Sequence, residues 1–234
     1  MESGAYCSDL VRRSDEDRWL ASQYAAPSLR AALQALYAFQ IELRRIPAAV
    51  SEPPLGEIRL QWWREAFEEI RSGKTPRVHP VVDAIAAAGL AAPAFADRIE
   101  AVIDAAAQPL YGEGFSSISA LEDWLIAAEG GFDALAAGLA GADESLVAAA
   151  AQAGTAFALA REGDRIAPAL GEHARERAKE IYEQVAPAIS GAPPEASPAF
   201  LHLSLTRGYL KRGGGLFSAS KRLRLFAAMA FARY

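Results

Sequence analysis

Residues 36–46 carry the pattern that decides the fold, and they read Leu36-Tyr37-Ala38-Phe39-Gln40-Ile41-Glu42-Leu43-Arg44-Arg45-Ile46. Apolar residues recur here and just upstream at the spacing of one helix face, at Leu29, Leu33, Leu36 and Tyr37. The pattern predicts a helix over residues 28–46, with Ser28 as its cap and Pro47 ending or kinking it. Arg44 and Arg45 would then lie near its C-terminus, where positive charge is mildly favourable.

The composition favours an all-α protein. The chain has 234 residues, 52% of them hydrophobic, which is enough for one large domain with its own core. Alanine-rich, leucine-containing sequence favours helix, and no alternating strand pattern flanked by hairpin turns is present. We therefore predict a single helical domain over residues 1–234, with about eight to ten helices.

The same periodicity predicts the remaining helices, with breaks at proline- and glycine-containing segments. They span about residues 55–71, 80–88, 94–110, 119–139, 144–162, 172–185, 198–212 and 216–234. Ser119 is the expected cap of the fourth of these, and Gly130-Gly131 is its expected kink. Gly213-Gly214-Gly215 is the expected turn before the last helix. The breaks are short, so we predict no domain linker.

Charge and cysteine content exclude several classes of function. A net charge of −5 argues against a general nucleic-acid binder, so no nucleic-acid partner is expected. Cys7 is the single cysteine, which excludes an internal disulfide and fits a reducing compartment. Residues 1–9 lack the features of a signal peptide, and no apolar run reaches the roughly 20 residues of a membrane span. We expect a cytoplasmic protein, with contact at the inner membrane surface left open.

Several segments, taken in chain order, resemble the squalene/phytoene synthase family. They are Cys7–Arg13, Asp17–Ala21, Arg30 before Leu36–Phe39, Ser51–Pro53 with Leu55–Arg64, His79–Val82, Pro198–Leu201 and Tyr209–Arg212. The resemblance is mostly to one bacterial and mitochondrial branch, which includes relatives implicated in respiratory complex I assembly. It implies the isoprenoid-synthase fold, in which antiparallel helices surround a deep apolar cavity.

Enzymes of that family join two prenyl diphosphates head to head, and two sets of aspartates hold the magnesium ions that neutralise the diphosphate. The resemblance places the first set on Arg44, Arg45 and Ala48, and the second near Ala158, Arg161 and Arg165. Arginine cannot ligate magnesium and repels it. We therefore predict no catalytic, metal-binding or cofactor-binding residues.

Two interpretations of function follow. The first is a non-catalytic protein that binds an isoprenoid or lipid, or that takes part in assembly of a membrane complex. The alternative is an active Mg²⁺-dependent head-to-head prenyltransferase that uses displaced carboxylates such as Asp15, Asp17, Glu42 and Glu52.

Four arginines are candidates for binding an anion or diphosphate: Arg30, Arg44, Arg45 and Arg64. Each also has a structural interpretation, such as a pair between Arg64 and Glu68 on one helix face. The basic segment of residues 211–224 suggests peripheral contact with an anionic membrane, or a last core helix with a solvated basic face.

Overall fold

The computed structural model describes residues 2–112, 114–212 and 216–231. Within these ranges the chain is helical and contains no strand, so the predicted all-α class is confirmed. The turn predicted at residues 213–215 and the predicted end of the last helix at residue 234 lie outside the described residues.

The described residues form thirteen α-helices. In chain order these are α1 Ser3–Ser14, α2 Glu16–Ser22, α3 Pro27–Arg45, α4 Pro53–Arg71, α5 Pro80–Ala87, α6 Ala96–Ala105, α7 Ile118–Leu125, α8 Gly131–Leu139, α9 Glu144–Ile166, α10 Gly171–Ser190, α11 Ser197–Phe200, α12 Thr206–Arg212 and α13 Ser218–Phe231. Short 3₁₀ turns occur at Pro47–Ala49, Pro93–Phe95, Gln108–Tyr111, Pro168–Leu170 and Leu201–Leu205.

Two predicted caps are wrong. No side chain caps α3, which begins at Pro27 and not at Ser28, because a proline in the first turn already has the required φ angle. At α7 the cap is Ser117, whose Oγ accepts a hydrogen bond from the Ala120 amide at 3.1 Å, and Ser119 lies inside the helix.

The kink predicted at Gly130-Gly131 is present as a π turn, Ile126–Gly130, that joins α7 to α8. A Cβ atom on Gly130 would lie 2.3 Å from the carbonyl oxygen of Ala151 on α9. Glycine therefore lets the π turn approach α9 closely, and the turn directs Glu129 into the interior of the bundle.

Helix α3 lies at the centre of the core and packs against α1, α2, α5 and α8, while α9 packs against α8 and α10. Phe39 of α3 contacts the rings of Trp63, Phe67 and Phe132, with centroid separations of 5.0, 5.1 and 5.8 Å. These contacts join α3, α4 and α8 into one apolar layer. Polar side chains occupy the space between α2, α3, α8 and α9.

None of the helices in the described ranges combines the length and apolar character that a membrane crossing needs.

Candidate functional site

Two neighbouring cavities open beside α3, and both are lined by Arg44 and Arg165. The first, the polar cleft, has a volume of about 460 Å³ and is lined mainly by Asp15, Glu16, Asp17, Arg45, Arg161, Glu162, Tyr209 and Lys221. The second, the apolar hollow, has a volume of about 420 Å³ and is lined mainly by Leu43, Ala48, Val102, Ala106, Phe115, Trp124, Ala128 and Phe132.

Arg18 of α2 holds the innermost charges together. Its guanidinium is fully buried and donates to Asp15 at 3.1 Å and to Asp133 at 3.0 Å, with Glu129 3.8 Å away. Asp15 caps α2 by accepting from the Arg18 amide at 3.2 Å, which fixes the direction of both side chains. His202 Nε2 lies 2.9 Å from Asp133.

Arg161 of α9 is the second cation of the cleft. It lies 3.0 Å from Asp15, 3.4 Å from Asp17 and 2.7 Å from Glu162, and it stacks over the Phe157 ring at 4.5 Å. Asp15 therefore lies between two guanidinium groups. Burial raises the pKa of Asp15, but Arg161 and Arg18 outweigh burial and hold it well below its usual value.

Asp17 connects α2 with the C-terminal helices. Its carboxylate accepts a hydrogen bond from the Tyr209 hydroxyl of α12 and lies 2.8 Å from Lys221 Nζ of α13. Glu16, on the solvent side of this contact, also pairs with Lys221 at 3.1 Å.

Arg44 stands where the two cavities meet. Its guanidinium pairs with Glu162 and lies 3.5 Å from Glu129, which also accepts from Gln40 at 2.9 Å. Arg165 pairs with Glu162 from the solvent side, and 73% of its side chain is exposed. A single carboxylate, that of Glu162, is therefore shared by Arg44, Arg161 and Arg165.

The two glutamates near Arg44 respond to this environment in opposite directions. Burial raises the pKa of Glu129, although Arg44 and Arg18 oppose the shift. Burial also acts to raise the pKa of Glu162, but Arg161 and Arg44 outweigh it and lower that pKa to about 2. Glu162 is therefore the carboxylate that stays charged, and Glu129 is the one that takes up a proton first as the pH falls.

The structure brings most of the predicted positions together. Arg44, Arg161 and Arg165 line the polar cleft, and Arg45 lies at its rim, where it donates to Ser14 at 3.1 Å and is about half exposed. Ala48 lines the apolar hollow, while Ala158 is buried in α9 and lines neither cavity.

Arg30 and Arg64 line neither cavity. Arg30 donates to the carbonyl oxygens of Gln23 and Ala25 and so secures the turn after α2. Arg64 pairs with Glu100 and Asp104 of α6, so the predicted pair with Glu68 is wrong. The reason is that α6 lies alongside α4 and offers two carboxylates to Arg64.

The acidic side chains in and beneath the two cavities are paired with basic side chains. Five buried or half-buried carboxylates lie within ion-pairing distance of an arginine or lysine: Asp15, Asp17 and Glu162 at the polar cleft, Glu129 at the apolar hollow, and Asp133 beneath them. Across the described ranges, no group of three or more histidine, cysteine, aspartate and glutamate side chains is placed to hold a metal ion. Asp15, Asp133 and Glu162 accept hydrogen bonds from guanidinium groups, and Asp17 accepts from the Tyr209 hydroxyl and pairs with Lys221.

Residues 11–162, well over half of the chain, match the family model of squalene/phytoene synthases. The chain belongs to this family. Two solved structures share the fold of this chain.

The first is squalene synthase HpnC from Alicyclobacillus acidocaldarius, with a TM-score of 0.69 and 16% identity over 98% of this chain and 94% of that one. The second is a dehydrosqualene synthase in complex with ligand, with a TM-score of 0.73 and 16% identity over 98% of this chain and 96% of that one. At this identity the likeness establishes the fold alone. The predicted isoprenoid-synthase architecture is thereby confirmed.

Curated relatives of this family member lie in the assembly-factor branch. NADH dehydrogenase (ubiquinone) complex I, assembly factor 6 from Rattus norvegicus is 33% identical over 75 residues, which is 32% of this chain and 22% of the relative. The Homo sapiens protein is 34% identical over 71 residues, 30% of this chain and 21% of the relative. The matches thus span about a fifth of the length of these relatives, and the predicted resemblance to the branch is confirmed.

Proposed function

We propose that this member of the squalene/phytoene synthase family is non-catalytic and binds an isoprenoid or related lipid. The apolar tail lies in the apolar hollow, and an anionic head group lies against Arg44 and Arg165. The observation that carries the proposal is that guanidinium groups pair with the carboxylates Asp15 and Glu162 of the polar cleft.

Electrostatics supports the non-catalytic part of the proposal. At about 5 Å and an effective dielectric of about 20, a divalent cation and a guanidinium repel each other by about 7 kcal/mol. Arg44 and Arg161 both hold their positive charge, since neighbouring carboxylates raise the pKa of each above its usual value. A magnesium ion entering the cleft meets cations that cannot be deprotonated and carboxylates that are already paired.

The shape of the apolar hollow supports the binding part. Its volume of about 420 Å³ lies within the range of small-molecule pockets, and its wall includes the rings of Phe115, Trp124 and Phe132. Arg44 and Arg165 stand at the junction with the polar cleft, so guanidinium groups reach one end of the hollow. An amphipathic ligand with a single anionic end matches this distribution.

Incubation of the full chain with farnesyl diphosphate and Mg²⁺ tests the absence of catalysis. We expect no release of pyrophosphate above the rate without protein, while a squalene synthase assayed in parallel provides the positive control. Release above the background would support the alternative, a Mg²⁺-dependent head-to-head prenyltransferase that uses displaced carboxylates.

Binding is tested by thermal unfolding and calorimetry with farnesyl phosphate and farnesol. Saturable stabilisation by both is expected, because a ligand that binds only the folded state raises its stability. Arg44→Gln should weaken farnesyl phosphate about tenfold and leave farnesol unchanged, since it removes a charge-assisted contact. Arg98→Gln, at a surface ion pair with Glu144, is the matched control. No saturable shift with either ligand would contradict the binding role.

A second candidate function is participation in assembly of a membrane complex, and it is favoured by the assembly-factor relatives. Deletion of the gene in its source organism, followed by native electrophoresis of respiratory complexes, tests it. Loss of mature complex I that the intact gene restores would support this role. A normal level of complex I would contradict it.

A further inference from the structure

The C-terminal segment has a charge balance opposite to that of the rest of the chain. Residues 196–234 contain seven lysine and arginine residues and no aspartate or glutamate. Residues 1–195 contain 17 basic and 29 acidic residues. A basic segment on an otherwise acidic protein gives the molecule a preferred orientation towards an anionic surface.

Helix α13, in this segment, turns apolar side chains outward. Leu223 is 70% exposed and Phe226 is 59% exposed, and they lie three residues apart on one face beside the exposed Arg222. Phe217, just before the helix, is 74% exposed. The opposite face packs on the body of the protein through Leu225.

The outward face is held in a fixed orientation. Lys221 reaches inward to Asp17 and Glu16, at 2.8 and 3.1 Å, and Ser218 donates to Glu16 at 2.6 Å. These contacts neutralise the acidic groups of α2 beneath the helix. Arg222 is exposed at the surface, next to Leu223.

Aromatic side chains of α2 and of the turn that follows it extend the surface. A groove of about 220 Å³ runs between this region and α13 and is lined by Trp19, Gln23, Tyr24 and Arg222. Tyr24 is 38% exposed and Trp19 is half-buried. Tyrosine and tryptophan beside arginine are the residues that favour the head-group level of a bilayer.

We propose that α13, with Phe217 and the groove beside Tyr24, docks the protein on an anionic lipid bilayer. Phe217, Leu223 and Phe226 enter the boundary between head groups and acyl chains, and Arg222 contacts lipid phosphates. Charge complementarity favours lipid over a second copy of the chain. A symmetric contact would bring together two copies of α13, which contains basic and no acidic residues.

Sedimentation of the full chain with vesicles tests the proposal. One set of vesicles is phosphatidylcholine alone, and in the other a third of the lipid is phosphatidylglycerol. We expect binding to the anionic vesicles to be at least tenfold tighter and to weaken at high salt. The double variant Leu223→Gln/Phe226→Gln should lose at least tenfold in binding, and Arg222→Glu should lose a similar factor on anionic vesicles alone.

Helix α4 offers a matched control pair, since Leu55 and Ile58 are 46% and 65% exposed. Leu55→Gln/Ile58→Gln should bind vesicles like the unaltered protein. Equal binding to both kinds of vesicle, or equal losses in the two double variants, would overturn the proposal. Analytical ultracentrifugation provides the remaining outcome: self-association that Leu223→Gln/Phe226→Gln abolishes, without vesicle binding, would assign the face to a second copy instead.

Discussion

The polar cleft and the apolar hollow are both lined by Arg44 and Arg165, but the rest of their walls differ in charge and polarity. In the cleft every buried carboxylate has a cationic partner, and the cations come from α2, α3, α9 and α13. In the hollow the wall is mostly aromatic and aliphatic. The difference indicates that the charged groups of the polar cleft are already paired with one another, whereas the apolar hollow has room for a ligand.

The largest expected effect comes from Arg18→Met, which tests whether the cleft is held together by its own charges. The change leaves Asp15, Asp133 and Glu129 without their shared buried partner. Breaking a buried ion pair by removing one partner costs about 3–5 kcal/mol, and here three carboxylates are affected. We expect a loss of about 5 kcal/mol in the free energy of unfolding by urea, or no folded protein at all.

Arg98→Met is the control for that substitution, because Arg98 pairs with Glu144 at the surface. Exposed pairs contribute at most about 1 kcal/mol. A loss for Arg18→Met no larger than that of Arg98→Met would show that the carboxylates around Arg18, beneath the cleft, are hydrated and loosely held.

Glu162→Gln tests the ion pairs on the solvent side of the cleft, where Arg44, Arg161 and Arg165 all pair with this one carboxylate. We expect a loss of about 3 kcal/mol at neutral pH. The folded pKa of Glu162 lies below the unfolded value, so its contribution is present above about pH 4.5 and is lost as the pH falls towards about 2. Urea unfolding across this range should show a shallower loss in Glu162→Gln.

Glu144→Gln provides the comparison for the pH dependence, since the Glu144 side chain is 82% exposed. Its stability curve should follow that of the unaltered protein. If the stability of Glu162→Gln depends on pH in the same way as that of the unaltered protein, the arginines do not lower the pKa of Glu162.

The helix pattern was predictable where the buried face is apolar. The stripe of Leu29, Leu33, Leu36 and Tyr37 gave α3 to within a residue at each end, because buried apolar residues at helical spacing leave a local signal. The same signal was missed at α1, where Cys7, Leu10 and Val11 share the buried face, and no helix was predicted at α1 or at the short α2. There Asp15, a buried aspartate, reads as a solvated surface residue.

The arginines of the site were predictable, but their partners were not. Arg44 and Arg161 were found from their places relative to family segments. Arg18 and Asp133 were missed, because they are 115 residues apart in the chain and their contact leaves no local pattern. The available signal was Asp133 within the apolar run Phe132–Leu139, since a charge on a buried helix face requires a partner.

Gly154→Ala is expected to have an intermediate effect, and it tests how tightly Asp133, a partner of Arg18, is packed against α9. A Cβ atom on Gly154 of α9 would lie 2.1 Å from Asp133 Oδ2, so the carboxylate or the helix must shift. We expect a loss of about 1–3 kcal/mol in urea unfolding. Gly4→Ala is the control, because the added Cβ in α1 meets nothing within 4 Å and alanine favours helix. Equal stability of the two variants would show that Asp133 can move away from α9 freely.

The smallest effect on stability, and the sharpest separation of the two cavities, is expected from Ala128→Phe. Ala128 lines the apolar hollow and is half-buried, so the larger ring has open volume to occupy and the ion pairs of the cleft are untouched. The free energy of unfolding should change by less than about 1 kcal/mol, whereas affinity for farnesol should fall at least tenfold because the ring takes the place of the ligand. Calorimetry with farnesol measures the second quantity. Unchanged affinity for farnesol would place the ligand outside the hollow. A large loss of stability would mean that side chains fill the hollow in solution, so that it has no room for a ligand.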